Sequence, residues 1–473
     1  MMNRREFLRI VGGSAVVLAG RGAFAANATR KPNFIIIFCD DMGYGDLGCF
    51  GSEKHRTPNL DRMAREGMRL TSFYSSCSVC TPSRSSLMTG CYPRAVNMHV
   101  DSEKHCVLFP ASSKGLHPDE VTIADMLKTQ GYSTACIGKW HLGDQPEFLP
   151  TRQGFDYYFG IPYSNDMFVE KRGDPPLPLM RNEQVIEAPP DQNLLTKRYT
   201  EEALKFIDEK KDEPFFLYLP HAMPHNPVHA SEAFRGRSAN NTYGDAVEEI
   251  DWSTGQILER IKEHGIDEDT LVVFTSDNGA SNRFGGSNGP LRGWKGQTLE
   301  GGMREPCIVW WPGHVPAGSS SDALTVTLDL LPTFAGLLGM QPPAKYPLDG
   351  ADIQDILLGQ PGAETPHEAF YYYQKGQLQA VRSGPWKLHL PLEKRLKNWG
   401  EPDKDIKLQL YNLDADIGER NNVASANPEV VDRLLTLAEK ARVEWGDGER
   451  TGKRQRAAGY VVSPKPLLLE TKE

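Results

Sequence analysis

The sequence of 473 residues lacks several patterns that would point at once to a class of protein. It has no run of lysine and arginine, and its formal net charge is −9 at pH 7, so neither nucleic acid nor an anionic membrane is an expected partner. Its 8 cysteines are too few for a disulfide scaffold of this length. No apolar stretch approaches the length of a membrane span, and we find no internal repeat.

The composition is that of a globular protein with a sizeable core. Hydrophobic residues make up 39% of the chain and charged residues 24%. The length predicts two or three domains, or one large α/β domain with an appendage. The 44 glycines and 34 prolines indicate many loops.

The first 25 residues have the pattern of a targeting segment. Arg4-Arg5 and Phe7-Leu8 are followed by an apolar run from Ile10 to Gly20, and Ala23-Phe24-Ala25 has the spacing of a cleavage site. The segment resembles a bacterial twin-arginine export signal; an ordinary amphipathic N-terminus is the alternative. We therefore expect residues 1–25 to be removed from a periplasmic or secreted protein.

Strand-like and helix-like segments alternate along the next 250 residues, which predicts an α/β fold with a mostly parallel sheet. The expected strands are Asn33–Cys39, Tyr132–Gly138, Phe215–Leu219 and Thr270–Ser276. The expected helices are one after Thr57 with Leu60, Met63, Ala64 and Met68 on one face, one from Thr122 to Gly131, one over Thr196–Lys210, and one that carries Val247, Ile250, Ile257 and Ile261 and is closed by Gly265.

Each of the four apolar strands ends in polar side chains suited to metal binding or acid–base chemistry. In sheets of this kind, ligands bind at the carboxyl ends of the strands. The pattern therefore predicts one site built from these ends, which are Asp40-Asp41, Lys139 with His141, His221 with His225, and Asp277-Asn278.

The pattern changes near residue 365. Four short strand-like segments, separated by turns, predict a small antiparallel sheet, and a last helix begins at Asn427-Pro428. We place the catalytic α/β domain at residues 26–360 and a C-terminal α+β subdomain at 361–473. The proline-rich residues 173–190 are expected to be a loop insertion near the pocket. The four segments are Phe370–Tyr373, Gln379–Arg382, Trp386–Leu390 and Leu408–Asn412.

The most specific feature of the chain is the segment Ser78–Gly90, which contains Cys80-Thr81-Pro82-Ser83-Arg84. It resembles the signature of the type I, formylglycine-dependent sulfatases at every position. The second signature of that family is matched by Gly131–Thr134 and Ile137–His141. The resemblance spans about residues 33–450 and is greatest to the arylsulfatase A and galactosamine-6-sulfatase kinds. It implies the alkaline-phosphatase-like fold, a mixed and mostly parallel sheet between layers of helices.

The resemblance also implies two cofactors. Cys80 would be oxidised to formylglycine (3-oxoalanine) by a formylglycine-generating or anaerobic sulfatase-maturating enzyme, and the hydrate would attack sulfur to form a covalent sulfo-enzyme. A divalent cation would be held by Asp40, Asp41, Asp277 and Asn278, together with modified Cys80. Oxygen ligands suit Ca²⁺, with Mg²⁺ as the alternative.

The remaining roles implied by the resemblance belong to polar residues around the nucleophile. Arg84 would hold the diol, Lys139 would bridge the nucleophile and a sulfate oxygen, and His141 would remove a diol proton. His225 and Lys295 would bind sulfate and protonate the leaving oxygen. Ser164 resembles a serine that contacts sulfate. The expected reaction converts an aryl sulfate or a sulfated sugar, as a small molecule or a glycan, to an alcohol and inorganic sulfate.

Several alternatives stay open at this point. A phosphate or phosphonate monoester hydrolase of the same superfamily is the second hypothesis for function, and a non-catalytic carbohydrate-binding protein is the third. Cys77 and Cys80 could form a redox pair. His221 is as easily a structural neighbour as a site residue. The natural substrate, exo or endo action and the oligomeric state do not follow from the sequence.

Overall fold

The apolar runs found in the sequence form the strands of one large sheet in the computed structural model. The structure describes residues 30–342, 345–398 and 401–470, so the expected export signal lies outside the described residues. In chain order the strands are β1 (Asn33–Cys39), β2 (Met68–Tyr74), β3 (Lys114–Gly115), β4 (Ser133–Ile137), β5 (Tyr157–Gly160), β6 (Leu179–Arg181), β7 (Gln184–Glu187), β8 (Phe215–Pro220), β9 (Thr270–Ser276), β10 (Arg304–Trp310), β11 (Ser319–Ser321), β12 (Thr325–Val326), β13 (Phe370–Gln374), β14 (Gln377–Ser383), β15 (Trp386–His389), β16 (Leu392–Arg395), β17 (Asp403–Ile406), β18 (Gln409–Asn412), β19 (Gly446–Asp447), β20 (Arg450–Thr451) and β21 (Gly459–Tyr460).

The helices lie mostly between strands of the main sheet. They are α1 (Pro58–Glu66), α2 (Cys80–Thr89), α3 (Ile123–Lys128), α4 (Leu195–Lys210), α5 (Asn241–Glu263), α6 (Glu300–Met303), α7 (Leu330–Leu337), α8 (Gln354–Leu357) and α9 (Pro428–Glu444). Short 3-10 turns occur at Gly48–Phe50, Pro146–Phe148, Pro150–Arg152, Glu170–Arg172, Gln192–Leu194, Thr327–Asp329 and Ala424–Ala426. None of the helices in the described part of the chain is long and apolar enough to cross a membrane.

The main sheet has a parallel centre, and antiparallel pairs occur on both sides of it, at β10 and at β6 and β7. Its order is β11-β2-β10-β9-β1-β8-β4-β5-β6-β7, and β12 also pairs with β2. The strands β9, β1, β8, β4 and β5 run parallel to one another. The predicted mixed, mostly parallel sheet is therefore confirmed, and its four predicted strands are neighbours in the order β9-β1-β8-β4.

Both faces of the sheet are covered, which is why β1 is apolar at nearly every position. Phe34, Ile36 and Phe38 point into one core and Ile35, Ile37 and Cys39 into the other. The second core is closed by α1, α4 and α5. The first is closed by α3, α7 and the C-terminal elements, so the two layers of the expected sandwich are present.

The C-terminal part forms the predicted antiparallel sheet, in the order β13-β14-β15-β18. Helix α9 packs on the core through Leu434, Leu437, Ala438 and Ala441. The short strand β21 pairs with β3, so the end of the described chain returns to the region before α3. From Asn33 onwards, the described residues group as one compact unit, and the domain boundary near residue 360 stays a prediction.

Two local predictions are wrong. Met68 was expected on the first helix, but α1 ends at Glu66 and Met68 begins β2, because Gly67 has the non-helical angles φ −131° and ψ −145°. Residues 173–190 are not simply a loop, because β6 and β7 within them form an antiparallel hairpin that extends the main sheet. The prolines that suggested a loop flank this hairpin.

Candidate active site

The carboxyl ends of β9, β1, β8 and β4 meet at one edge of the sheet. The backbone N–H of Asp277 donates to the carbonyl of Cys39 at 3.0 Å, and that of Lys139 donates to the carbonyl of Pro220 at 2.7 Å. Gly138 allows this approach, since its φ is 139° and a Cβ there would lie 1.9 Å from the Pro220 oxygen. The polar residues that end the four strands are thus drawn together.

Cys80 is the first residue of α2 and faces this edge. Its Sγ lies 3.5 Å from Oδ1 of Asp40 and 3.7 Å from Nζ of Lys295. Burial, with the charge of Asp40 next, raises the pKa of the Cys80 thiol well above its usual value. An unmodified Cys80 is therefore a neutral thiol at pH 7 and a poor nucleophile.

Arg84 lies one helical turn after Cys80, on the same face of α2. Its guanidinium donates to Oδ2 of Asp277 at 2.9 Å and to the carbonyl of Lys139 at 2.8 Å. The side chain is fully buried. Arg84 therefore connects the cysteine helix to the ends of β9 and β4.

Three carboxylates share this edge with three cations. Lys139 pairs with Asp40, and Nζ of Lys295 lies 2.6 Å from Oδ1 of Asp41. The N–H of Asp41 donates to Oδ1 of Asp277 at 3.1 Å. Asp41 has a φ of 65°, a strained value for a residue with a Cβ, which places its carboxylate beside those of its neighbours.

The charges of the carboxylates are compensated to different degrees. Burial by itself would raise the pKa of Asp40, but Lys139, His225 and Arg84 hold it well below its usual range. Burial and the neighbouring charge of Asp40 raise the pKa of Asp277 to about 7, although Arg84 opposes them. A further positive charge beside Asp277 would therefore stabilise the cluster.

The donor atoms fit a hard divalent cation. Potential ligand atoms of Asp40, Asp41, Cys80 and His225 all lie within 4.8 Å of one another. Oδ1 of Asn278 is buried and has no hydrogen-bond partner in the described part of the chain, which is costly unless a cation or water takes it up. Carboxylate and amide oxygens are the ligands that Ca²⁺ and Mg²⁺ prefer.

His141 is held as a neutral base. Its Nε2 lies 3.0 Å from the carbonyl oxygen of Leu108, which can only accept, so Nε2 carries the proton and Nδ1 keeps its lone pair. Nδ1 is buried and has no partner within the described ranges. Burial, with the charge of Lys139, lowers the pKa of His141 well below its usual value.

Ser164 and His225 complete the group on the other side. The hydroxyl of Ser164 lies 3.1 Å from Nζ of Lys139. Nε2 of His225 lies 3.8 Å from Oδ2 of Asp41, and its Nδ1 lies 3.0 Å from Oδ1 of Asn165. All the residues that the resemblance assigned to the site thus lie around Cys80 and Asp40-Asp41.

His221 does not join this group through any hydrogen bond. Both of its ring nitrogens are buried without a partner among residues 30–342, 345–398 and 401–470. Burial lowers its pKa to about 3, so the ring is neutral. Arg292, which precedes Lys295 by three residues, donates to the carbonyl of Glu419.

Several residues that support the site were missed in the sequence. Gln374 accepts from Ser78 at 2.9 Å, and Gln379 accepts from Thr298 at 2.9 Å, so the C-terminal sheet contacts the segments that carry Cys80 and Lys295. Asn165 was missed as well. Glutamine and asparagine in strands and loops carry no spacing signal, so only the tertiary structure reveals these contacts.

Comparison with known protein families gives two matches. Residues 32–340 match the family model described as sulfatase. Residues 365–456 match the model of the C-terminal region of aryl-sulfatase. Together the two models cover most of the chain.

Individual relatives agree with these models. The chain is 41% identical over 392 residues to N-acetylgalactosamine-6-sulfatase of Mus musculus, covering 79% of this chain and 75% of the relative. It is 38% identical over 450 residues to arylsulfatase A of Homo sapiens, covering 86% and 87%. A solved structure from glycosaminoglycan metabolism of Bacteroides thetaiotaomicron matches with a TM-score of 0.78 and 29% identity, over 88% of this chain and 100% of that one.

Proposed function

Since this chain belongs to the sulfatase family and is a sulfuric ester hydrolase, we propose that its substrate is a sulfated sugar and its nucleophile the formylglycine of Cys80. A sugar is favoured because one relative is named as an N-acetylgalactosamine-6-sulfatase and a structural neighbour acts in glycosaminoglycan metabolism. Sugars sulfated at the 6-position of galactosamine are the first to test.

The observation that carries the proposal is the setting of Cys80. Cys80 is a buried thiol between Asp40 and Lys295, and burial together with Asp40 outweighs the nearby lysines and raises its pKa well above the usual value. The unmodified thiol is therefore neutral and a poor nucleophile. Formylglycine would supply a hydrated aldehyde, with a hydroxyl as the nucleophile and a C–O bond whose cleavage can release sulfate. Arg84, one turn later on α2, is placed to hold the group at position 80.

The cations of the site suit an anionic ester. Sulfate oxygens repel nucleophiles, so a sulfatase has to neutralise their charge as the bond to sulfur breaks. Lys139 and Lys295 present ammonium groups on two sides of Asp40 and Asp41. Ser164 orients Lys139 and adds a hydroxyl donor to the same pocket.

A divalent cation, Ca²⁺ or the alternative Mg²⁺, would be held by Asp40, Asp41, Asp277 and Asn278, with modified Cys80. When bound it would neutralise charge on the sulfate group. The residues fit this role because ligand atoms of Asp40 and Asp41 lie in one cluster, and the carboxylate of Asp277 accepts from the N–H of Asp41. The buried Oδ1 of Asn278 has no partner among the described residues.

Two histidines and a lysine are assigned to the proton-transfer steps. Neutral His141 exposes the lone pair of Nδ1 and acts as the base that takes a proton from the nucleophile. His225 and Lys295 both lie beside Asp41 and protonate the oxygen that leaves sulfur.

Replacement of Cys80 tests the proposal. We expect Cys80→Ala to abolish sulfate release from 4-nitrophenyl sulfate and from N-acetylgalactosamine 6-sulfate, while Cys77→Ala serves as the matched control and keeps activity. Peptide mass spectrometry should find an aldehyde at position 80 of the active protein. Full activity of the Cys80 variant would refute the proposal.

The same assay separates the second hypothesis from the first. A phosphate or phosphonate monoester hydrolase would give a higher kcat/KM for 4-nitrophenyl phosphate than for 4-nitrophenyl sulfate. We expect the sulfate ester to be preferred.

Export is the second part of the proposal. We infer a periplasmic or secreted enzyme from Arg4-Arg5 and the short apolar run that follows. Cell fractionation tests this, since replacing both arginines by lysine should leave the protein in the cytoplasm.

A further inference from the structure

We propose that Asn165 is a positioning residue, which fixes the ring of His225 so that Nε2 faces the oxygen that leaves sulfur. The inference rests on the proposed function, because it takes His225 as a proton donor to that oxygen. It adds a residue without catalytic contact of its own, which acts through another side chain.

Asn165 lies behind His225. It directly follows Ser164 in the loop after β5, and its side chain is fully buried. Its Oδ1 lies 3.0 Å from Nδ1 of His225, whose exposed fraction is 9%. Two adjacent residues thus hold two active-site side chains, since Ser164 contacts Lys139 and Asn165 contacts His225.

The orientation of the Asn165 amide is fixed by its other partners. Its Nδ2 lies 3.0 Å from the carbonyl oxygen of Pro227 and 3.0 Å from Oε1 of Gln192. A carbonyl oxygen can only accept a hydrogen bond, so the nitrogen of the amide has to face Pro227. Oδ1 is therefore the atom that faces His225.

This orientation determines the tautomer of His225. Because Oδ1 of Asn165 only accepts, Nδ1 of His225 has to carry a proton, and Nε2 of the neutral ring keeps its lone pair. Nε2 is also the nitrogen that points to Asp41, at 3.8 Å from its Oδ2. Nε2, the nitrogen proposed to donate the proton, therefore faces the carboxylate cluster of the active site.

The contact is the same before and after proton transfer. A proton taken up from water at Nε2 gives the charged ring, in which both nitrogens carry protons. That proton then passes to the leaving oxygen as the S–O bond breaks and its electrons go to that oxygen. The ring returns to the neutral form with the proton on Nδ1, which Asn165 still accepts. No reorganisation of this contact accompanies the reaction, a condition for efficient catalysis.

A neutral amide suits this position better than a carboxylate. His225 already has Asp41 on its other side, and Asp40 lies in the same cluster. A third acid would add negative charge where a sulfate ester binds. Asn165 orients the ring without changing the charge of the pocket.

The experiment compares two aryl sulfates that differ in the acidity of the phenol released. 4-Nitrophenol leaves easily without protonation, whereas 4-methoxyphenol needs a proton donor. For Asn165→Ala we expect kcat to fall roughly 10- to 100-fold with 4-methoxyphenyl sulfate, but only about 3-fold or less with 4-nitrophenyl sulfate. The unequal loss identifies a defect in protonation, which a general loss of folding does not produce.

The chain offers a matched control in Asn193. Its Oδ1 lies 3.0 Å from Nδ1 of His229, the same asparagine–histidine contact in a half-exposed position. Asn193→Ala should leave kcat unchanged with both esters. Equal losses with the two esters in Asn165→Ala, or no loss, would overturn the role of Asn165 while leaving the proposed function intact.

Nuclear magnetic resonance of ¹⁵N-labelled histidine supplies a second readout that needs no stable variant. In the wild-type enzyme at neutral pH, the ring of His225 should carry its proton on Nδ1; a proton on Nε2 instead would overturn the inference. If the wild-type enzyme hydrolyses neither ester, the proposed function fails, and the role of Asn165 in protonation falls with it.

Discussion

Lys139 makes several contacts in the site through its buried ammonium group and its backbone. Its side chain is fully buried and contacts Asp40 and the hydroxyl of Ser164, while its backbone carbonyl accepts from Arg84. A buried ammonium of this kind is held in place before substrate arrives, so it stabilises developing charge without reorganising. The residue follows Gly138, whose backbone angles only glycine adopts easily.

Removing this charge should impair turnover more than binding. We expect Lys139→Met to lower kcat by about 10²- to 10³-fold, since a single preorganised donor has an effect of this size. Steady-state kinetics with 4-nitrophenyl sulfate measures it. Lys262→Met, which removes a lysine paired with Glu66 on the surface of α5, is the control and should keep its activity. A loss confined to KM would contradict this role.

The buried side-chain oxygen of Asn278 leads to a prediction about metal binding. Its Oδ1 is buried without a partner in the part of the chain that the structure describes, so a bound cation removes an energetic penalty. We expect Ca²⁺ to raise the melting temperature of the wild-type protein and a chelator to abolish turnover. Asn278→Ala should weaken Ca²⁺ binding at least about 10-fold in calorimetric titration. Unchanged affinity would remove Asn278 from the ligand set.

At the level of elements, the central strands of the main sheet were predicted from the sequence more accurately than the neighbouring strand β2 and helix α2. β9, with its long apolar run, was predicted to the residue, and the polar ends of β1, β4 and β9 correctly indicated a shared edge. Strand β2 was missed because half of its residues are polar or charged, and α2 because its serines and threonines resemble a loop. Burial imposes their form, since all of α2 and most of β2 are buried, and local propensity does not report burial.

An ion pair joins the segment before β13 to the turn that starts α7. His367 contacts both oxygens of the buried Asp329, at 2.8 and 2.9 Å. Burial by itself would lower the pKa of His367, but the charge of Asp329 outweighs it and raises the pKa above its usual value. The pair therefore stabilises the fold fully below the pKa of histidine in the unfolded chain, and this contribution is lost as pH rises through the folded pKa.

Replacement of His367 should therefore have a pH-dependent cost. We expect His367→Ala to lower the free energy of unfolding by about 3 kcal/mol in mildly acidic buffer and by less in alkaline buffer. Urea denaturation at the two pH values measures the difference. His264→Ala, which removes a histidine paired with the half-exposed Asp208, is the control and should have a small effect at both. An equal cost at both pH values would show that charge plays no part.

At the scale of the whole molecule, the acidic composition and the anionic substrate are compatible. The formal charge is −9, yet Arg84, Lys139 and Lys295 converge beside Cys80. The net charge of the chain indicates only that polyanions are not expected as general partners. The local cationic pocket arises because the strand order brings these residues together, and the composition does not predict that order.

The C-terminal sheet shares one core with the main sheet. Phe370 packs on Tyr74 of β2 with ring centroids 5.0 Å apart, and both belong to the same hydrophobic cluster. Lys387 of β15 is fully buried between Glu300 and Glu419, at 2.9 and 3.0 Å. Without the C-terminal part, Tyr74 would lose Phe370, and Glu300 would lose both Lys387 and Tyr372.

We therefore expect a chain that stops after residue 360 to be insoluble or unfolded, because the part of the shared core that the C-terminal sheet and α9 cover would be exposed to water. Solubility and circular dichroism, compared with the full-length protein, test this. A soluble fragment with a cooperative thermal transition would show that residues up to 360 fold independently.

The position of β1 in the sheet determines when the centre of the sheet can form during synthesis. β1 lies between β8 and β9, so its two neighbours are synthesised long after it. At about 5–20 residues per second, roughly 10–40 s pass between the synthesis of Cys80 and that of Ser276, the last residue of β9. Until then the parallel centre of the sheet cannot close. Cys80, which is only 2% exposed in the folded protein, is therefore accessible to other molecules during translation, before folding encloses it.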